Sequence, residues 1–171
     1  MDTSKLQKKI ISITTSCYNE EGNLREWYDR IIAVLEKFPD YNYEFIVADN
    51  CSTDHSRSIL RDLATHDKNF RVILNANNFG WIRSPVNAFI QAKGDAVVTM
   101  CSDLQEPPEV IAEFIRHWEA GALVVCGVKP QSREAPLMFK IRRFYYRLLA
   151  SLSETTQIQN FTGFGLMTGS S

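Results

Sequence analysis

Ala96-Val97-Val98-Thr99-Met100-Cys101-Ser102-Asp103-Leu104-Gln105-Glu106-Pro107-Pro108-Glu109 runs from an apolar, partly β-branched segment into an acidic residue and then a double proline. The apolar half reads as a buried strand. Proline forbids its continuation, and Pro108 suits the first turn of a helix. Such a strand delivers Asp103 to the carboxyl edge of a sheet, where open α/β folds bind ligands. Asp103 and Gln105, two residues apart, offer hard oxygen donors of the kind that suit Mg²⁺ or Mn²⁺ rather than zinc.

The same pattern occurs twice upstream. Lys9-Ile10-Ile11-Ser12-Ile13-Thr14-Thr15 breaks into Ser16-Cys17-Tyr18-Asn19-Glu20-Glu21-Gly22. Tyr43-Glu44-Phe45-Ile46-Val47-Ala48 breaks into Asp49-Asn50-Cys51-Ser52-Thr53-Asp54. In a parallel sheet, three strands that end in polar clusters bring those clusters to one edge.

Between and after these strands the chain alternates in period. Leu24, Trp27, Tyr28, Ile31, Ile32, Leu35 and Phe38 recur at helical spacing, and Pro39-Asp40 ends that helix. Asp54 is a helix cap for a segment bearing Ile59, Leu60 and Leu63. Phe70–Leu74 is a third strand, Asn75–Gly80 a loop, and a helix is expected from about Pro85 to Lys93. Gly94-Asp95 is a tight stop. Val110, Ile111, Phe114, Ile115 and Trp118 mark a helix after the double proline, Gly121 ends it, and Leu123–Gly127 is a fifth strand. Beyond it, Lys129 to Glu134 is a polar, basic loop, and Leu137, Ile141, Phe144, Leu148 and Leu152 form a helical stripe flanked by Lys140, Arg142, Arg143 and Arg147. The end, from Gly163 to Ser171, is abrupt. The fold class is therefore α/β, a single domain with a mostly parallel sheet flanked by helices.

Composition narrows the function classes. With 171 residues, 44% apolar and 23% charged, the chain fits one globular domain with a real core. A net charge of −1 supplies no field for nucleic acid. No stretch reaches the ~20 apolar residues of a membrane span. The polar start, Met1 to Lys9, has no apolar signal core. Cys17, Cys51, Cys101 and Cys126 form no Cys-x-x-Cys pair, and His55, His66 and His117 lie far apart, which excludes the usual zinc spacings. Buried thiols in a reducing compartment are the expected reading, with a disulfide between neighbouring strand ends as the alternative.

Five segments in order carry a resemblance: Tyr18-Asn19-Glu20-Glu21, Asp49-Asn50-Cys51-Ser52-Thr53-Asp54, Asn78-Phe79-Gly80, Ala92-Lys93-Gly94-Asp95 and Ser102-Asp103-Leu104-Gln105-Glu106-Pro107-Pro108-Glu109. Each is weak alone, but their order and spacing over about residues 8–168 resemble glycosyltransferase family 2, inverting enzymes of GT-A (Rossmann-like) fold that use nucleotide sugars. The Leu-Gln-x-Pro-Pro-Glu element is similar to the branch containing dolichyl-phosphate mannose synthase and bacterial polyprenyl-phosphate glycosyltransferases. The resemblance implies a catalytic role for Asp103, a UDP- or GDP-linked donor held by Ser16, Tyr18, Glu20, Asp49, Asn50, Arg83 and Ser102, and a divalent Mg or Mn cation on Asp103 and Gln105. Tyr18 would stack on the base and Asp49 would accept from a base N–H. Glu20 is read either as a ribose contact or as the cap of the first helix.

It further implies an acceptor side at Lys129 and Arg133. Residues 1–128 would be the nucleotide-sugar-binding half and 129–171 the start of an acceptor-side region. Relatives commonly continue further, so an end at Ser171 reads as a fragment. The full-length protein is expected at the cytoplasmic face of a membrane, in cell-envelope glycan or glycolipid synthesis. Peripheral membrane contact through the Phe139–Leu152 helix and homo-oligomerisation are compatible with this reading.

Two departures bear on activity. The family's usual Asp-x-Asp has Cys101 in place of its first Asp. Relatives carry an Asp near the chain's end, where Thr162-Gly163-Phe164-Gly165-Leu166 has no carboxylate. A sugar hydroxyl needs a base to deprotonate it, whereas a lipid phosphate arrives ionised. The missing Asp therefore favours a polyprenyl-phosphate acceptor over a glycan. Two other readings stand beside this one. A nucleotidyltransferase would want a glycine-rich signature, which Ser16–Gly22 is not. The other is a degenerate, non-catalytic module that holds a nucleotide sugar.

Overall fold

A computed structural model describes residues 8–128 and 161–169. Its elements alternate: β1 (Ile10–Cys17), α1 (Leu24–Leu35), β2 (Asn42–Asp49), α2 (Ser56–His66), β3 (Phe70–Leu74), α3 (Gly80–Ile90), β4 (Ala96–Thr99), a 3₁₀ turn (Pro108–Val110), α4 (Ile111–Glu119), β5 (Val124–Val128) and β6 (Phe161–Thr168). The six strands form one sheet in the order β3-β2-β1-β4-β6-β5. β3, β2, β1 and β4 pair in parallel. β6 runs antiparallel to both β4 and β5.

Alternation along β2 shows how the two faces are built. Phe45 and Val47 point into the larger core with Trp27, Ile31, Leu60 and Ile115 from α1, α2 and α4. Ile46 and Ala48 point the other way, onto Ala88 of α3. Both faces of the central strands are thus buried, and these strands read as continuous apolar runs for that reason. An aromatic cluster closes the β3 end, where Phe45 stacks on Phe70 at 5.3 Å and Tyr28 sits 5.2 Å from Phe45.

Two elements depart from expectation. α3 begins at Gly80, five residues before Pro85. Its start is set by side chains: Asn78 Oδ1 accepts the Gly80 N–H at 2.9 Å, and Asn50 Oδ1 accepts the Phe79 N–H at 2.8 Å. Pro85 has no N–H to give the Trp81 carbonyl, yet the helix continues because Ser84 and Ala88 are seated on the sheet. The second departure is β6. No strand was expected near the chain's end, yet residues 161–168 form an internal strand between β4 and β5, with Phe164 and Leu166 buried in the main core.

None of the four cysteines is joined in a disulfide, so the alternative of a disulfide between strand ends does not hold. The expected Leu137–Leu152 helix, Lys129 and Arg133 lie outside the described residues. Among the described residues, no helix is long and apolar enough to cross a membrane.

Candidate functional site

β2, β1 and β4 are neighbours in the sheet, so the three polar strand ends do converge. A cleft of about 440 Å³ opens there. From the β1 end it takes Ser16, Cys17, Tyr18 and Glu20. From β2 it takes Asn50, and from β4 Cys101, Ser102 and Asp103. The start of α3 closes it with Asn78, Gly80, Trp81 and Pro85.

The β1 and β2 loops are bound together by side chains that satisfy backbone groups. Asn19 adopts φ 57°, donates its N–H to Ser52 Oγ at 3.0 Å, and accepts the Thr53 N–H at 2.8 Å on its side-chain oxygen. Glu20 donates its N–H to Ser56 Oγ at 2.8 Å. Asp54 accepts the N–H of Ser56, the first residue of α2, at 2.9 Å and of Glu21 at 3.1 Å, so it ties the start of α2 to the opposite loop, while the N-cap position itself is His55. Burial opposes ionisation of Asp54, but the Ser56 hydroxyl and these N–H groups hold its pKa below the ordinary value. Glu20 serves the β1 side: its carbonyl accepts from Asn23 and Leu24, and its carboxylate accepts the Asn23 amide at 2.7 Å.

Asp49 lies below the cleft and does not line it. Its fully buried carboxylate accepts Arg57 Nε at 2.6 Å and the N–H groups of Cys51 and Ser52 at 3.2 Å. Arg57 also donates to the Asn75 carbonyl at 2.7 Å, and the Asp49 contact raises its pKa. The Asp49 oxygens are thus engaged in fixing the loop. Asn50 works similarly but reaches the cleft. Its amide donates to Asn78 Oδ1 at 2.7 Å, and Asn75 ties the network to Ser84 at 3.1 Å. This amide network places Trp81 at the cleft's rim.

After β4 the chain turns sharply. Ser102 is buried and donates to the Ser16 carbonyl at 3.4 Å. Asp103 Oδ1 accepts the Gln105 N–H at 3.1 Å, and Leu104 takes φ 57° between them. One ligand atom each from Cys101, Asp103 and Glu106 lies within 4.8 Å of the others. A thiol and a second carboxylate thus stand beside Asp103. Gln105, exposed and absent from the cleft lining, contributes its backbone to the turn. Arg83 also lies outside the lining, on the exposed side of α3. Two carboxylates fit a hard divalent cation, and the thiol adds a softer donor. Cys17, at the floor, is held protonated: burial first, then Asp49, Glu20 and Asp54, push its pKa up to about 12.

Of the residues expected from sequence, Ser16, Tyr18, Glu20, Asn50, Ser102 and Asp103 meet in one cleft, and Asp49, Arg83 and Gln105 do not line it. Trp81 in the cleft, and Glu106 beside Asp103 but in the lining of a neighbouring pocket, were not expected. Trp81 had a signal, a large aromatic residue directly after Asn-Phe-Gly. Glu106 had only its place in a turn.

The model of the family described as "Glycosyl transferase family 2" matches residues 12–169. The chain belongs to glycosyl transferase family 2. It is 34% identical over 145 residues to an uncharacterized glycosyltransferase, YkcC, of Bacillus subtilis, covering 84% of this chain and 44% of that one. It is 32% identical over 159 residues to the undecaprenyl-phosphate 4-deoxy-4-formamido-L-arabinose transferase of Pseudomonas fluorescens, covering 92% and 45%. The chain thus spans less than half the length of either relative. Among solved structures, the Pyrobaculum calidifontis mannosyltransferase in complex with GDP-Man and Mn²⁺ superposes with a TM-score of 0.60 at 21% identity, covering 96% and 45%. The Mycobacterium tuberculosis glucosyl-3-phosphoglycerate synthase with Mn²⁺ and UDP gives 0.63 at 19%, covering 94% and 57%. These two likenesses establish the GT-A fold.

Proposed function

We propose that this family 2 domain binds a UDP- or GDP-linked sugar with a divalent cation and transfers the sugar, with inversion, to a polyprenyl phosphate. The observation that carries the reading is the cleft at the end of β4: Asp103 and Cys101 line it with Tyr18 and Asn50, and Glu106, outside the lining, clusters with Asp103 and Cys101. The cation-bound neighbours and the lipid-phosphate relative support it.

Asp103 and Glu106 would hold the cation with Cys101 beside them, and a bound cation would neutralise charge on the leaving diphosphate. Tyr18, half-exposed in the cleft, offers a ring face to the base. Asn50 and Ser102 are fixed by their hydrogen bonds and shape the pocket around the sugar and diphosphate. In the transfer, an acceptor oxygen attacks the anomeric carbon on the face opposite the diphosphate. The bond from that carbon to the diphosphate oxygen breaks, its electron pair stays with the diphosphate, and the new carbon–oxygen bond has inverted configuration. An acceptor phosphate brings its nucleophilic oxygen already ionised. This agrees with a β6 that has no carboxylate and turns Phe164 and Leu166 into the core.

Asp103→Ala tests the site. Calorimetric titration with UDP and GDP, with and without Mn²⁺, is expected to show Mn²⁺-dependent binding that the substitution removes while circular dichroism is unchanged. Equal Mn²⁺-dependent affinity in the variant refutes the assignment. Donor binding without sugar release or transfer to a polyprenyl phosphate would leave a holding module instead.

A further inference from the structure

α3 is apolar on both sides. Its inner side packs Ala88 against Ile46 and Ala48. Its outer side exposes Trp81 (84%), Ile82 (60%), Val86 (51%) and Ile90 (70%), with Phe79 half-exposed just before it. Ile82, Val86 and Ile90 are spaced by four and so form one stripe. A helix apolar all round is normally buried. The other three α-helices of the described fold give their buried residues to the opposite face of the sheet.

Within the segment the charge is one-sided. Residues 75–94 contain Arg83 and Lys93 and no acidic residue, and Glu44, which lies against the end of the segment, is engaged by the Lys93 N–H at 2.7 Å and by Arg71 at 3.6 Å. An apolar strip flanked by cations, with an exposed tryptophan at one end, has the chemistry of an interfacial surface: apolar groups enter the headgroup boundary, the indole sits at it, and the cations meet anionic headgroups. A protein partner would need no such absence of acidic groups.

We propose that the outer face of α3 docks on an anionic lipid surface. The proposal rests on the lipid-phosphate reading above, because a bilayer is where such an acceptor resides. Trp81 is shared by the stripe and the cleft lining, so docking would set the cleft's rim against the membrane, within reach of a lipid-borne phosphate.

The test is co-sedimentation of the 171-residue chain with vesicles of phosphatidylglycerol and phosphatidylcholine, and of phosphatidylcholine alone, at low and high salt. The expected result is binding to the anionic vesicles that weakens with salt, with a blue shift of emission from Trp81. Trp27 is buried and Trp118 half-buried, so neither should report. Ile82→Ser/Ile90→Ser changes only exposed side chains and should weaken binding by about tenfold or more. Its Mn²⁺-dependent nucleotide affinity should be unchanged. Arg83→Gln/Lys93→Gln should remove the salt-sensitive part. No binding by the parent chain, or equal binding by the serine variant, overturns the proposal. So does a parent chain that sediments as a dimer and a serine variant that is monomeric, which would give the face to a second copy. Nucleotide binding without vesicle binding refutes the lipid face alone, and vesicle binding without nucleotide binding refutes the donor reading alone.

Discussion

Cys101 shares a volume only 4.8 Å across with the carboxylates of Asp103 and Glu106, so its chemistry decides how strongly a hard cation is held there. A thiol must lose a proton to ligate and has an ordinary pKa of about 8.5, whereas a carboxylate is ionised throughout the neutral range. Cys101→Asp is therefore expected to tighten Mn²⁺ binding near pH 7 by about tenfold, ~1.4 kcal/mol. Mn²⁺ titration followed by electron paramagnetic resonance measures this, and no gain in affinity would place position 101 off the cation. A second substitution is legible in the backbone. Cys51 holds φ 69°, a region costly for a side chain, while its sulfur makes a long contact with the Ala76 carbonyl at 3.6 Å and meets the Arg57 guanidinium. Cys51→Gly should stabilise the fold by about 1 kcal/mol, read from the urea midpoint. Asp103 could be found from sequence because a strand and a double proline frame it. Asp49 was legible as a site candidate but its ion pair was not, because Arg57, eight residues on, gives no sign in the sequence that it turns back onto that carboxylate.

At the scale of elements, the loop after β4 depends on its tether to α1. Arg30 forms a two-pronged pair with Glu109, Nε to Oε1 at 2.9 Å and Nη2 to Oε2 at 2.7 Å, and also reaches Glu26 at 3.1 Å. This holds the turn after Pro107-Pro108, and so the Glu106 side of the cation cluster, to the first helix. The Arg30 hydrogen bond lowers the Glu109 pKa. A carboxyl lowered in the folded state contributes stability that is complete above its unfolded pKa and is lost as pH falls through the folded value. The Arg30–Glu109 contribution is thus constant from pH 7 to about 5 and declines below the ordinary Glu value of about 4.3. Both side chains are substantially exposed, so Glu109→Gln is expected to cost under about 1 kcal/mol at pH 7. The gap between variant and parent should close as pH falls below 4, which urea melts at pH 3, 5 and 7 will show. The helical spacing of α1 and α4 was plain in sequence. The start of α3 was not, because proline at position 85 is a stronger local signal than the asparagine bonds from positions 50 and 78, which exist only once β2 and β3 pair.

For the whole molecule, the informative strand is the one hidden in the sequence. The central strands β1, β2 and β4 show as apolar runs because both of their faces are buried. β6 reads Phe161-Thr162-Gly163-Phe164-Gly165-Leu166-Met167-Thr168, and its glycines break that signal. Gly163 takes φ 89°, and Thr99 donates its hydroxyl to the Gly163 carbonyl at 2.9 Å. Yet β6 joins β5 to the rest of the sheet by pairing with β4 and β5, and Phe164 packs on Phe114 of α4 at 4.7 Å. Leu166 is fully buried, whereas Met167 points to the other face and is only partly covered. If β6 is an integral strand, Leu166→Ala opens a cavity where β4, β5 and α4 meet and costs about 3 kcal/mol. Met167→Ser should cost under about 1 kcal/mol. Because one core spans the sheet from Phe70 to Leu166, the loss should appear as a shifted but still single transition, the same by tryptophan fluorescence and by circular dichroism. A separate early transition in Leu166→Ala, with the β1–β2–β3 side unaffected, would mean that β5 and β6 fold as an appendage, and that the cation cluster beside β4 is supported from one side only.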